Sequence, residues 1–133
     1  MAKITKSDEQ WRKELSPEAY KVLRGSATEP AFSGEYEYSS AAGTYVCGAC
    51  KTPLFDSETK FDANCGWPSF YDAKPGAVEF VKDSSGGMER TEVICATCGS
   101  HLGHIFEGEG FKTPTDQRYC INSLSLQFTP KNT

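Results

Sequence analysis

Four of the six cysteines fall in two Cys-x-x-Cys pairs, Cys47/Cys50 and Cys95/Cys98, while Cys65 and Cys120 stand outside them. Two thiolates spaced this way can bite one metal ion, and two such pairs complete the closed tetrahedral site of structural zinc. The pairs are 44 residues apart, Lys51 through Ile94, so a shared ion would tie distant strands together. Two other readings are chemically sound. One pair could be a thioredoxin-like redox motif, although neither precedes the helical pattern such a motif usually opens. Alternatively His101, spaced Cys98-x-x-His101, could replace one thiolate, which would strand a cysteine. Once the four are given to a metal, Cys65 and Cys120 remain as thiols free for nucleophilic chemistry.

The segments around these two thiols carry the other reactive side chains. In Arg118-Tyr119-Cys120-Ile121-Asn122 a strand would project Arg118, Cys120 and Asn122 from one face, and the guanidinium would favour thiolate. Asn122 can hydrogen-bond without titrating. The chain's only two histidines, His101 and His104, sit three residues apart and suit acid–base work or hydrogen bonding to a polar substrate atom. In Cys65-Gly66-Trp67-Pro68-Ser69-Phe70, Gly66 and Pro68 make a tight bend, and Trp67 and Phe70 offer a flat wall for a small apolar group. Each signal has a plainer reading: a strand cysteine in the core, a satisfied histidine, a solvated arginine, a turn with buried aromatics. Their coincidence points to a thiol active site.

These residues need a scaffold, and the sequence indicates a β-rich one behind a short helical arm. Ser7 can cap a first helix, with Gln10 as its capping-box partner and Trp11 and Leu15 on the apolar side. Ser16-Pro17 reads as a second start, with Gly25 as its stop, so the arm spans about residues 7–25. Residues 28–43 are rich in Pro, Gly, Ser and Glu and read as a loop lying over the rest. Beyond Gly43, Thr44-Tyr45-Val46 leads into the first cysteine pair. Ala77 to Val81 alternates, Ser84-Ser85-Gly86-Gly87 supplies a turn, and Glu89 to Ile94 returns to deliver Cys95 beside Cys47. The final run Cys120–Phe128 is expected to place Leu124, Leu126 and Phe128 on one face until Pro130 ends it.

A chain of 133 residues reads as one domain, 1–133, with a modest core. Its net charge of −4 and isoelectric point near 5.2 argue against nucleic acid or an anionic membrane as partner. The segment Met1–Asp8 has no apolar run that could act as a signal peptide, and no stretch approaches the roughly 20 apolar residues of a membrane span. A cytoplasmic location is therefore expected, with a nuclear one as the alternative, and in either place cysteines serve as ligands or reactive thiols. A secreted module with three disulfides is the competing account of an even cysteine count.

Taken together, both Cys-x-x-Cys pairs, Cys65-Gly66-Trp67-Pro68-Ser69-Phe70, His101-Leu102-Gly103-His104-Ile105-Phe106 and Arg118-Tyr119-Cys120-Ile121-Asn122-Ser123 resemble the B-type methionine sulfoxide reductases, from Trp11 to Pro130. The resemblance implies a mainly β fold in which two antiparallel sheets enclose the site, with short N-terminal helices outside and one structural zinc per chain on Cys47, Cys50, Cys95 and Cys98. It implies reduction of methionine (R)-sulfoxide in oxidised proteins, with Cys120 as nucleophile, Cys65 as resolving cysteine, and thioredoxin or a similar dithiol as reductant. Trp67 would pack on the substrate methyl group, with Phe70 beside it, and His104, Asn122 and His101 would lie near the sulfoxide oxygen. Arg118 would support the thiolate, held by an acidic residue for which Glu109 is the first candidate and Glu107 the second. No organic cofactor, nucleic acid or membrane is expected, and the chain is expected to act as a monomer. Two rivals remain at this point: a zinc-ribbon binding module without catalysis, and a dithiol redox sensor.

Overall fold

The computed structural model describes residues 6–25, 27–30, 34, 36, 42–61, 66–84, 87, 89–108, 110 and 113–130. Two short helices open it, α1 (Asp8–Glu14) and α2 (Pro17–Leu23). Each begins as its sequence dictates. Ser7 Oγ accepts from the Gln10 amide, and Ser16 Oγ accepts from the Ala19 amide with Pro17 at the first helical position. Helices this short gain little from propensity and must be held by packing. Trp11 provides that hold: it is buried, with the Arg24 guanidinium and the Lys6 ammonium each 4.9 Å from its ring centroid. Arg24 also donates to the Cys98 carbonyl (2.9 Å) and to Ser100 Oγ (3.1 Å), which pins the helical arm to the second cysteine knuckle.

Nine strands follow among the described residues, all paired antiparallel. They are β1 (Gly43–Cys47), β2 (Pro53–Asp56), β3 (Lys60–Phe61), β4 (Ser69–Phe70), β5 (Val78–Asp83), β6 (Arg90–Cys95), β7 (His101–Glu107), β8 (Gln117–Ile121) and β9 (Leu126–Pro130). They form two sheets, β2-β1-β9 and β3-β4-β8-β7-β6-β5. The mainly β architecture with two antiparallel sheets and short N-terminal helices is the one expected from sequence. An aromatic stack fills the core: Phe55 lies flat on Phe70 with centroids 4.4 Å apart, Tyr45 meets Phe70 edge-on at 5.2 Å, and Tyr119 meets Phe55 at 5.6 Å.

Period-2 alternation along β8 separates core from site. Tyr119 and Ile121 are buried among the aromatics, while Arg118 and Cys120 turn to the opposite face. The sequence expectation for the last run needs correction. A single 3-10 turn, Ser123–Ser125, breaks the chain after Asn122, and β9 joins the other sheet. Leu126 is buried and Phe128 packs on Tyr45, but Leu124 lies in the turn and is 38% exposed. The change of sheet resets the alternation, so the three residues do not share a face.

No described helix is long and apolar enough to cross a membrane.

Candidate active site

The two cysteine knuckles are built alike. In each, the first cysteine ends a strand and its amide closes the turn by donating to the carbonyl five residues on: Cys47 N–H to the Thr52 carbonyl (2.8 Å), and Cys95 N–H to the Ser100 carbonyl (2.9 Å). The residue after each second cysteine takes a left-handed conformation, φ 66° at Lys51 and 77° at Gly99. Glycine adopts this freely, and lysine does so at a cost of about 1 kcal/mol. The hairpin β5–β6 delivers the second knuckle to the first, as the sequence indicates.

Cys47 and Cys98 sulfurs stand 3.7 Å apart, Cys50 and Cys95 sulfurs 3.6 Å, and all four lie within 4.8 Å of one another. Sulfurs around a tetrahedral ion at about 2.3 Å are separated by about 3.8 Å, so the set fits a metal such as zinc. His101 is not part of the cluster, which decides against the three-cysteine alternative. The crowding also shows why a cation belongs there. Hydrogen bonds from Cys47 and Cys95 pull the Cys98 thiol down to about 2, while hydrogen bonding to Cys50, Cys95 and Cys98, together with burial, pushes Cys47 far up. Four clustered thiols cannot all ionise alone, whereas a dication stabilises four thiolates at once.

None of these four lines the cavity of about 160 Å³ that opens on the six-stranded sheet. Cys120 faces it from β8, between His104 on β7 and Ser69 on β4 in the strand register. Arg118 and Asn122 border it on either side of Cys120, and Trp67 closes another wall. Residues of the sequence segments Trp67, His104 and Arg118–Asn122 thus converge on one space. The guanidinium of Arg118 lies 4.5 Å from the Phe106 ring centroid, so the cation is carried on an aromatic face. Gly103 permits the close approach of β7 to β8. A Cβ there would sit 2.0 Å from the Cys120 carbonyl oxygen.

The histidines are held differently. His101 is buried, its Nδ1 2.6 Å from Glu92 Oε2, and its Nε2 has no hydrogen-bond partner among the described residues. Burial lowers its pKa below the usual imidazole range against the opposing pull of Glu92, so the neutral ring is favoured. His101 packs edge-on to His104 at 5.6 Å rather than lining the cavity. His104 lies on the cavity wall with Nε2 2.8 Å from Asp83 Oδ2.

Phe70 requires correction. It belongs to the wall expected from sequence, but it is fully buried and stacked on Phe55, so it shapes the core rather than the cavity. The reason is pleat: Ser69 opposes Cys120 in register, and its neighbour Phe70 must point to the other face. Cys65 and Glu109 lie outside the described residues. Glu107 opposes Gln117 in the β7–β8 register and is exposed.

Several site residues gave no signal in sequence. Thr28 and Arg90 line the cavity. Glu29 is buried to 3% and works largely through its backbone: its carbonyl accepts from Trp67 Nε1 (2.9 Å), and its amide donates to Asn122 Oδ1 (3.0 Å). Its Oε1 accepts from the Leu124 amide at 2.8 Å, and burial pushes its carboxyl pKa up. Asn122 Nδ2 in turn donates to the Leu102 carbonyl at 3.0 Å. Trp67 and Asn122 are therefore fixed in place before any ligand arrives. A glutamate in a loop that acts through main-chain atoms leaves no pattern in residue type or spacing.

Comparison with known proteins identifies the family. The SelR domain matches residues 15–130. The peptide methionine sulfoxide reductase MsrB of Leifsonia xyli is 57% identical over 130 residues, covering 97% of this chain and 93% of its own. The MsrB of Bradyrhizobium diazoefficiens is 56% identical over 131 residues, with 97% and 92% coverage, and peptide methionine sulfoxide reductase B5 of Oryza sativa is 53% identical over 125 residues, with 94% and 90%. The chain belongs to the SelR-domain family of B-type peptide methionine sulfoxide reductases. It is accordingly an oxidoreductase, and the binding-module and sensor readings give way.

Proposed function

We propose that the cavity binds the methionine (R)-sulfoxide side chain of an oxidised protein and that Cys120 reduces it. The observation that carries this reading is the convergence of one thiol, one imidazole, one indole and the guanidinium groups of Arg90 and Arg118 on a single small cavity. Cys120 attacks the sulfoxide sulfur while the oxygen takes up a proton and the S–O bond breaks. The net change is balanced: the thiol becomes a sulfenic acid, the sulfoxide becomes a thioether, and the oxygen passes from one sulfur to the other. An oxygen leaving as an oxide would be prohibitive, so a donor beside the thiol is required. His104 is the group for this, with Asn122 at the wall beside it. Arg118 favours the attacking thiolate. Trp67 supplies the flat surface for the S-methyl group, and the handed arrangement of wall, thiol and donor selects one epimer.

Recycling uses Cys65. Its thiol condenses with the Cys120 sulfenic acid, releasing water and leaving a disulfide, and a dithiol reductant of the thioredoxin type restores both thiols by exchange. The four-cysteine cluster holds zinc as a structural staple. It supplies no chemistry to the reaction, since four thiolates leave no coordination position open.

Racemic peptide methionine sulfoxide mixed with the protein and excess dithiol tests the assignment. Consumption is expected to stop at half, with the S epimer intact. Consumption of both epimers, or of neither, would overturn it.

A further inference from the structure

The β5–β6 hairpin carries two carboxylates to the two histidines of β7. In register, Glu92 stands directly opposite His104, yet its Oε2 bonds His101 Nδ1 at 2.6 Å. His104 therefore takes its partner from one strand further out, where Asp83 Oδ2 lies 2.8 Å from Nε2. Asp83 is itself anchored. It opposes Arg90 in the hairpin register, and Arg90 Nη2 stands 3.6 Å from the same carboxylate oxygen. Arg90, His104 and Cys120 all line the cavity, and Asp83 links the first two from behind its wall. Neither Asp83 nor Glu92 borders the cavity.

We propose that Asp83 is a positioning residue for the reaction: its carboxylate accepts the Nε2–H of His104, fixing the ring and its tautomer and leaving Nδ1 as the nitrogen that serves the sulfoxide oxygen. The inference rests on the reading of His104 given above. Physically, a neutral imidazole carries one proton on either nitrogen, and the hydrogen bond made by one nitrogen decides the state of the other. A carboxylate admits only a donor, so Nε2 must hold a proton. Nδ1 is then an acceptor in the neutral ring and a donor in the imidazolium, so the proton for the sulfoxide oxygen comes from the imidazolium while the carboxylate holds the ring through Nε2–H in both states. An asparagine in place of Asp83 can instead donate through its amide to Nε2, which permits the opposite tautomer and misdirects the ring. Glu92 is engaged elsewhere, through the contact of its Oε2 with His101 Nδ1.

The test compares Asp83→Asn, Asp83→Glu and His104→Gln in the full-length, metal-loaded protein. Each is followed through single turnover of a methionine (R)-sulfoxide peptide and through ¹⁵N NMR of the imidazoles, which is tractable because the chain holds two histidines. Asp83→Asn is expected to slow the chemical step by about tenfold to a hundredfold, with a smaller change in the substrate concentration at half-maximal rate. The neutral His104 is expected to lose its uniform Nε2–H tautomer while the His101 signals stay in place. Asp83→Glu, which keeps the charge, is expected to restore the tautomer and part of the rate. An Asp83→Asn protein with the parent rate and the parent His104 tautomer would overturn the proposal. Should Asp83→Asn fail to fold, Arg90→Gln carries the comparison: a partial loss of the Nε2–H tautomer supports the role, and an unchanged tautomer and rate oppose it. Full activity in His104→Gln would instead overturn the role of His104, an outcome separable from the tautomer readout on Asp83→Asn.

Discussion

Cys120→Ser is expected to abolish reduction of methionine sulfoxide, including the first turnover, while leaving the protein folded. Cys120 is the thiol on the cavity wall, set between Ser69 and His104 in the sheet register. A serine hydroxyl is isosteric enough to keep β8 in place, so the folding free energy should change by no more than an ordinary partly buried substitution produces, about 1 kcal/mol or less. Chemistry is another matter. A hydroxyl is essentially never ionised at neutral pH and is a poor nucleophile toward sulfur, so the rate should fall by at least about a thousandfold. Stopped reduction with an unchanged thermal transition separates this from a stability effect. Residual turnover within an order of magnitude of the parent would mean that another group attacks.

Cys95→Ser should have the converse outcome, with loss of the fold and activity lost as a consequence. Cys95 is fully buried and its sulfur lies 3.6 Å from that of Cys50. Structural zinc contributes about 10–16 kcal/mol in zinc-finger peptides, comparable to the entire stability of about 5–15 kcal/mol of a domain this size. Removing one ligand also leaves three crowded sulfurs, two of them buried, with no cation to balance them. The parent protein should carry one zinc per chain by elemental analysis. The variant should carry none and show no cooperative unfolding transition. A well-folded, metal-free Cys95→Ser protein would remove the staple from the account. The staple matters to the site through geometry alone: β6 and β7 run into and out of the second knuckle, and these strands bear Arg90, Glu92, His101 and His104.

Much of this was legible in the chain because the signals are local. Two cysteines at fixed spacing define a knuckle wherever it falls, and a serine before a helical run declares a cap, as at Ser7 and Ser16. The shared face of Arg118, Cys120 and Asn122 needed only the pleat of a strand. What escaped depends on long-range register. Phe70 and Trp67 look alike in sequence, yet the pairing of Ser69 with Cys120 sends one to the core and leaves the other on the cavity. Leu124 alternates with Leu126 and Phe128 on paper, but a turn between two sheets breaks the pattern. Asp83 and Arg90 gain their roles from facing one another across a hairpin next to His104, and Glu29 from a carbonyl and an amide. No residue type announces such roles.

Transfer of the oxygen from methionine (R)-sulfoxide to Cys120 underlies every later step of the proposed cycle. It is tested most directly in a Cys65→Ser protein, where the second thiol is absent and the oxidised intermediate cannot close to a disulfide. One equivalent of an (R)-sulfoxide peptide is added with a carbon nucleophile specific for sulfenic acids, and the protein is digested and mapped by mass spectrometry. The expected result is one methionine released per chain, with the label on the peptide containing Cys120 and none after addition of the S epimer. Label on a knuckle cysteine, or methionine formed in full with Cys120 unmodified, would contradict the account.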